Sequence, residues 1–191
     1  DRTTAILHGG PSPLPALVHG AKLLEKAGAD LIVMACHTAH YFYNDIIRHI
    51  KVPFLHLQRE TLRWVEKGPG NIKRFGLLAT SGTIETRLFQ DIFSESRKGF
   101  EIIVPGSEDL ETVMSVLYGE KGIKRGFKEE PRELLLKVIG HLKEKGIDAI
   151  MAGCTEIPLV LRDSEMQLPV IDPLTITAKS AILKAGYKIK D

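Results

Sequence analysis

Cys36 and Cys154 are the two cysteines of the sequence, and they occupy matching positions in two similar stretches, residues 28–36 and 146–154. Both stretches run from a glycine through an aspartate and an apolar segment to the cysteine, with the same spacing throughout. In each case an amphipathic helix ending in Glu-Lys precedes the stretch, and a strand that begins with proline follows it. We interpret the two halves as copies of one structural unit.

Two thiols that reach one cleft from opposite sides would suit the inversion of a Cα centre. One group has to remove a proton from one face of the carbon, and a second group has to return a proton to the other face. A thiol has an ordinary pKa near ~8.5 that can be shifted downward, so one thiolate and one thiol can coexist near neutral pH. We expect Cys36 and Cys154 to exchange the roles of base and acid with the direction of the reaction.

Three other roles for the cysteines remain open. Free cysteine is among the most buried side chains, so either residue could be part of an ordinary core. A structural disulfide is disfavoured because cytosolic thiols stay reduced. Zinc is also disfavoured, because Cys36, His37 and His40 offer three ligands while a closed site needs four and no Cys-x-x-Cys pair is present.

The composition argues against several classes of protein. The chain has 191 residues, a formal net charge of +2, 26% charged residues and 43% hydrophobic residues. These values indicate a globular chain, long enough for one domain or two small lobes, with no nucleic-acid footprint. No apolar run approaches the roughly 20 residues that a membrane span requires, and the polar start does not resemble a signal peptide. We therefore expect a cytoplasmic protein that binds a small molecule, without nucleic-acid or membrane partners.

Short apolar strands alternate with amphipathic helices along the chain. We predict strands at residues 31–35, 52–55, 75–79, 100–104, 149–152 and 170–171. We predict helices at residues 14–27, 39–50, 60–66, 84–93, 110–117, 133–145 and 174–185, and an irregular loop at residues 119–126. This order is typical of an α/β fold with helices on both faces of a parallel sheet. Both cysteines then lie at the carboxyl ends of strands, where ligands bind and a following helix can lower the pKa of a thiol.

Three segments resemble the signature segments of the aspartate racemases, in the PLP-independent aspartate/glutamate racemase superfamily. They are residues 34–40 (MACHTAH), 77–83 (LLATSGT) and 152–156 (AGCTE). The resemblance implies two similar lobes with parallel sheets related by a pseudo-twofold axis, an active-site cleft between them, no cofactor and a homodimer. We expect residues 1–57 with 167–191 to form the first lobe, and residues 58–166 to form the second.

The resemblance also implies roles for individual residues. Cys36 and Cys154 match the acid/base pair, while Thr38 and Thr155 match positions that bind the α-carboxylate or the amino group. Either threonine could instead be only a helix N-cap. His37 stands where the family usually has an asparagine that binds the substrate.

Two cations match family positions that hold the side-chain carboxylate of the substrate. They are Arg2 and Lys124, and the planar fork of an arginine suits a carboxylate. Without the resemblance, both could be ordinary solvated charges. Thr83 is a further candidate for substrate binding.

The family also begins with a strand and a Gly-rich loop, and no such segment precedes Asp1 in this sequence. The chain thus resembles a family member without its first strand-helix-strand portion. If that portion is absent, apolar surface should be exposed on the first lobe.

Racemisation of aspartate without PLP, metal or nucleotide is the leading expectation. Within the same superfamily, the substrate could be glutamate, a broader set of amino acids, a hydantoin or a maleate-type compound. A non-catalytic binding protein that keeps the fold is an alternative from another class. A nucleotide-binding module is disfavoured, since neither a Walker A sequence nor Gly-x-Gly-x-x-Gly is present.

Overall fold

The computed structural model describes residues 1–68, 71–161 and 167–189. The α-helices in these ranges are α1 (Arg2–Leu7), α2 (Leu14–Lys26), α3 (Tyr43–Ile47), α4 (Leu57–Lys67), α5 (Ser81–Glu85), α6 (Gln90–Ser94), α7 (Ser107–Tyr118), α8 (Glu129–Glu144) and α9 (Pro173–Lys184). The strands are β1 (Ile32–Val33), β2 (Phe54–Leu55), β3 (Arg74–Leu78), β4 (Glu101–Ile103), β5 (Ala149–Ala152) and β6 (Val170–Ile171). Short 3-10 helices cover Thr38–Phe42, Ile123–Arg125 and Ile157–Leu159.

The strands form two parallel sheets. β1 and β2 make a two-stranded sheet, and the other sheet has the order β4-β3-β5-β6. Every described strand pair is parallel. The predicted α/β class with parallel sheets is confirmed.

The sequence repeat corresponds to a repeated strand pair. β1 pairs with β2, and β5 pairs with β6. The amide of Ile32 donates to the carbonyl of Pro53 over 2.9 Å, and the amide of Ile150 donates to the carbonyl of Pro169 over 2.9 Å. Each cysteine therefore follows the first strand of a pair that is built in the same way.

The end of the chain belongs to the larger sheet. We expected residues 167–191 to return to the first lobe, but β6 is hydrogen-bonded to β5 and α9 packs against α4. This assignment is corrected for the described residues 167–189, because the proline-led strand pairs within its own copy of the repeat. A division near residue 58 remains a prediction.

Two predicted helices are shorter or broken in the structure. The range 39–50 contains the end of a 3-10 helix followed by α3, which ends at Ile47. The range 84–93 is divided between α5 and α6, because Arg87 adopts a left-handed backbone conformation with φ of 54° that no α-helix can continue through. Helix α1 was not predicted. Its N-cap is Asp1, whose carboxylate accepts a hydrogen bond from the Thr4 amide over 3.0 Å.

The four-stranded sheet is buried on both faces. Neighbouring residues of β3 point to opposite sides: Leu78 packs in the core cluster of α7 and α8, and Leu77 packs in the cluster of α4 and α6. Gly153 follows β5 where there is no room for a side chain, since a Cβ there would lie 2.6 Å from Leu77 Cδ1. The loop that carries Cys154 is therefore packed directly against the rigid centre of the sheet.

The smaller sheet leaves an apolar groove of about 180 Å³ at the surface. Leu17 and Leu24 of α2 line this groove together with Ile32 and Val33 of β1. Within the described ranges, no helix is both long and apolar enough to cross a membrane.

Candidate active site

Both free cysteines line one cavity of about 110 Å³. Its walls are formed by Arg2, Ala35, Cys36, His37, Thr38, Thr80, Tyr118, Lys124, Cys154, Thr155 and Glu156. The cavity is smaller than the roughly 300 Å³ at which pockets for drug-sized ligands begin, so it suits a small molecule. Two larger grooves beside Trp64, of about 380 and 500 Å³, contain neither cysteine.

Cys154 is part of a connected polar cluster. Its thiol donates a hydrogen bond to Oε2 of Glu156 over 2.9 Å, and the Thr155 hydroxyl donates to the same oxygen over 3.0 Å. Nζ of Lys124 lies 2.6 Å from the other carboxylate oxygen, Oε1. Glu156 therefore connects Cys154 to the cation that we expected to meet the substrate.

This cluster keeps Cys154 in its thiol form. Burial is the largest cause and raises the pKa of Cys154, and the hydrogen bond to Glu156 raises it further, to about 12. Burial alone would raise the pKa of Glu156, but hydrogen bonds from Cys154 and Lys124 outweigh it and lower that pKa to about 2. The expectation that a helix N-terminus lowers the pKa is wrong for Cys154, because burial and the neighbouring carboxylate dominate.

His37 is a buried imidazole without a hydrogen-bond partner. It is 2% exposed, and neither Nδ1 nor Nε2 has a partner. Its ring stacks on Phe89 with 5.6 Å between the centroids. Burial lowers the pKa of His37 to about 3, so the ring is neutral at neutral pH. A neutral imidazole offers one donor and one acceptor to a ligand in the cavity.

Arg2 enters the cavity from α1. Its Nε atom is buried and has no hydrogen-bond partner. Helix α1 packs closely on α5, where a Cβ on Gly82 would lie 2.8 Å from Thr3 Oγ1 and 2.9 Å from Thr38 Cγ2. This close approach places the guanidinium beside the loop of Cys36.

Three threonine hydroxyls form a buried triangle beneath the cavity. Oγ1 of Thr38 lies 2.9 Å from both Thr80 Oγ1 and Thr83 Oγ1, and the last two atoms are 3.1 Å apart. Thr38 and Thr80 line the cavity, whereas Thr83 lies behind them, outside the lining residues. Thr83 is therefore connected to the cavity by its hydrogen bonds to the hydroxyls of Thr38 and Thr80 and does not line it.

Some lining residues were not proposed from the sequence. Glu156 lies two positions after Cys154, and a carboxylate so close to a cysteine was a usable signal. Tyr118 ends α7, and Lys124 Nζ lies 5.0 Å from the centre of its ring. Thr80 lies in the segment 77–83 that resembles the family, although only Thr83 was proposed from it, and nothing in the sequence distinguishes Tyr118 from other tyrosines. Across the described residues, no group of three or more His, Cys, Asp or Glu side chains is placed to hold a metal ion.

Comparison with known proteins connects this geometry to a family. The family model described as Asp/Glu/Hydantoin racemase matches residues 2–181. RacX of Bacillus subtilis, a broad specificity amino-acid racemase, is 28% identical over 167 residues, which cover 87% of this chain and 70% of RacX.

Solved structures show the same relationship. The aspartate racemase of Picrophilus torridus superposes with a TM-score of 0.84 at 27% identity, covering 100% of this chain and 77% of that one. An aspartate racemase homologue from Pyrococcus horikoshii superposes with a TM-score of 0.75 at 27% identity, covering 91% of this chain and 74% of that one. The chain belongs to the Asp/Glu/Hydantoin racemase family.

Proposed function

We propose that this chain is a cofactor-independent amino-acid racemase that acts on aspartate, with Cys36 and Cys154 as its two acid/base groups. The observation that carries the proposal is the cavity itself. Two cysteines from matching positions of the repeat line it together with Arg2 and His37, whose Nε atom and two ring nitrogens, respectively, are buried and unpartnered. Because an unpartnered buried polar atom costs about 1–3 kcal/mol, a ligand that pairs with these atoms is favoured.

The charges of the cavity suit an acidic amino acid. Arg2 and Lys124 are cations, Glu156 is an anion, and His37 is neutral at neutral pH. With both cysteines as thiols, these side chains leave the cavity with a net positive charge, and the Cys36 thiolate that the reaction requires brings that charge to zero. The two cations suit the two carboxylates of aspartate, and Glu156 suits its ammonium group.

The protonation of Cys154 suggests how the reaction starts. With Cys154 held as a thiol, Cys36 as thiolate would take the Cα proton from one face of the substrate. Cys154 would then donate its own proton to the opposite face, which inverts the centre and leaves Cys154 as thiolate. The other enantiomer would use the same steps in reverse, so each turnover exchanges the protonation states of the two sulfurs.

Broad specificity is a second candidate, and the Lys124–Glu156 ion pair favours it. Lys124 is the residue that the resemblance assigns to the side-chain carboxylate, yet it is already paired over 2.6 Å. If that pair persists when substrate binds, the site would recognise the α-carboxylate through Arg2 and tolerate different side chains. RacX, named a broad specificity racemase, supports this alternative, and the Picrophilus enzyme supports aspartate.

Proton NMR in deuterated buffer tests the proposal. L-aspartate and D-aspartate are incubated with the reduced protein without PLP, and glutamate, alanine and a hydantoin are run in parallel. We expect loss of the Cα proton signal of aspartate with inversion, and at least about a hundredfold loss of rate in Cys36→Ala and Cys154→Ala. No exchange with any of these compounds would contradict the proposal and favour a non-catalytic binding protein.

The expected homodimer and cytoplasmic location remain predictions. Size-exclusion chromatography with light scattering tests the first of these, with twice the chain mass of 21.2 kDa as the expected result.

A further inference from the structure

His40 lies outside the lining of the cavity and connects two loops of the smaller sheet. It is 2% exposed and belongs to the 3-10 helix that follows Cys36. Its Nδ1 lies 2.7 Å from the carbonyl oxygen of Cys36. The amide of Leu57, the first residue of α4, donates to His40 Nε2 over 3.1 Å.

These two contacts require one protonation state of the ring. A carbonyl oxygen only accepts, so Nδ1 of His40 must carry the proton. The amide of Leu57 only donates, so this bond requires the lone pair of Nε2. The backbone of Leu55 is a further hydrogen-bond partner that raises the pKa of His40, but burial lowers that pKa by more. The ring is therefore the neutral Nδ1–H tautomer.

The surroundings of His40 favour this neutral form. The ring of His56 lies 4.8 Å away, and the ring of Tyr43 stacks at 6.1 Å. His37, which lies three residues earlier in the chain and lines the cavity, interacts electrostatically with His40. Burial lowers the pKa of His40 to about 4, so the tautomer persists across the neutral range.

The two cysteine loops are held in different ways. The Cys154 carbonyl accepts a hydrogen bond from the amide of Ile157 in its own turn, over 3.1 Å. The Cys36 carbonyl accepts from the side chain of His40. The repeat places Pro158 opposite His40, and a proline has no corresponding ring nitrogen to offer. A single side chain in the Cys36 loop thus takes the part that the backbone has in the Cys154 loop.

We propose that His40 is a positioning residue for Cys36, which as Nδ1–H tautomer fixes the Cys36–His37 peptide against the start of α4. The peptide is planar, so fixing the Cys36 carbonyl also fixes the direction of the His37 amide and the starting point of both side chains. Because a misplacement of about 1 Å can cost about a hundredfold in rate, this anchor matters for the thiol of Cys36. The catalytic part of this inference rests on the proposed function.

Two substitutions separate the two hydrogen bonds of His40. In His40→Asn, the amide nitrogen can replace Nδ1 and keep the bond to the Cys36 carbonyl. In His40→Gln, the longer side chain can replace Nε2 with its oxygen and keep the bond to the Leu57 amide, while it loses the Cys36 bond. The pair therefore serves as a matched test and control within one position.

The kinetic test compares these two variants with the wild type in aspartate Cα exchange. We expect His40→Gln to lose about tenfold or more in kcat with little change in KM, and His40→Asn to stay within about threefold of the wild type. Melting temperatures are measured for both. Equal losses in the two variants that follow their melting temperatures would overturn the proposal, because they would indicate a purely structural role.

Two further readouts do not depend on racemisation. Nitrogen NMR of histidine-labelled protein should show His40 protonated at Nδ1 alone, without titration between about pH 5.5 and 8. In a Cys154→Ala background, His40→Gln should change the alkylation rate of Cys36 by about threefold or more, and His40→Asn should not. An Nε2–H tautomer, or equal alkylation rates in all three proteins, would overturn the inference even if the wild type proved inactive.

Discussion

The substitution Glu156→Gln should make Cys154 more reactive. Glu156 raises the pKa of Cys154 in two ways, by accepting a hydrogen bond from the thiol over 2.9 Å and by placing a negative charge beside the sulfur. The substitution removes the charge and releases Lys124, whose ammonium group favours the thiolate. Both changes lower the pKa of Cys154, while burial, the largest cause of its elevation, remains.

The size of the effect follows from the thiolate fraction. At a pKa of about 12, about one Cys154 thiol in 10⁴ is ionised at pH 8. A fall of one pKa unit raises that fraction about tenfold and lowers the intrinsic nucleophilicity of the thiolate about threefold. We therefore expect the alkylation rate of Cys154 to rise by about threefold for each unit.

The assay is iodoacetamide alkylation at about pH 8 in a Cys36→Ala background, with the modified peptide counted by mass spectrometry. Glu133→Gln is the matched control, because Glu133 is an exposed carboxylate on α8 that lies outside the cavity lining. Lys124→Gln should have the opposite effect and slow the reaction. An unchanged or slower rate in Glu156→Gln would refute the reasoning about Cys154.

Three other perturbations test the fold around the site. Three buried histidines have their pKa lowered, mainly by burial, namely His37 to about 3, His40 to about 4 and His56 to about 3. The unfolded chain binds protons at these histidines more tightly than the folded chain does. The free energy of unfolding in urea should therefore fall as pH drops below about 6.5, by up to about 1.4 kcal/mol per pH unit for each histidine. A free energy of unfolding that stays constant down to pH 5 would contradict this. Gly153→Ala should destabilise the fold by about 1–3 kcal/mol in urea unfolding, whereas Gly140→Ala, with nothing within 4 Å of the new Cβ, should not. Thr83→Val should lower the free energy of unfolding by about 1–3 kcal/mol, because Thr38 and Thr80 each lose a hydrogen bond to the Thr83 hydroxyl. An unchanged melting curve would exclude the three hydroxyls as a stabilising network.

The sequence was informative where one local pattern determined the structure. The repeat around Cys36 and Cys154 predicted matching strand ends, and the strand pairs β1–β2 and β5–β6 have equivalent hydrogen bonds. The apolar runs also predicted the strands of the four-stranded sheet to within about two residues of their observed ends. Buried parallel strands are continuous apolar segments, which makes them easy to recognise.

Features that depend on long-range contacts were not predictable. The break between α5 and α6 depends on the left-handed backbone at Arg87, a residue type with no particular preference for that conformation. The sheet to which β6 belongs depends on its partner strand, which residues 167–189 alone do not specify. Within the site, the role of Glu156 depends on Lys124, which is distant in sequence, and the pKa of Cys154 depends on burial that no motif records.

The central claim is that two thiols act on opposite faces of one Cα atom. Its most direct test is racemisation of L-aspartate in deuterated water, stopped at low conversion, with deuterium measured separately in the two enantiomers. Two bases predict that newly formed D-aspartate carries deuterium at Cα while the remaining L-aspartate keeps its proton. Deuterium appearing equally fast in the recovered L-aspartate would contradict the claim, because a single group would then be exchanging its proton with solvent on one face.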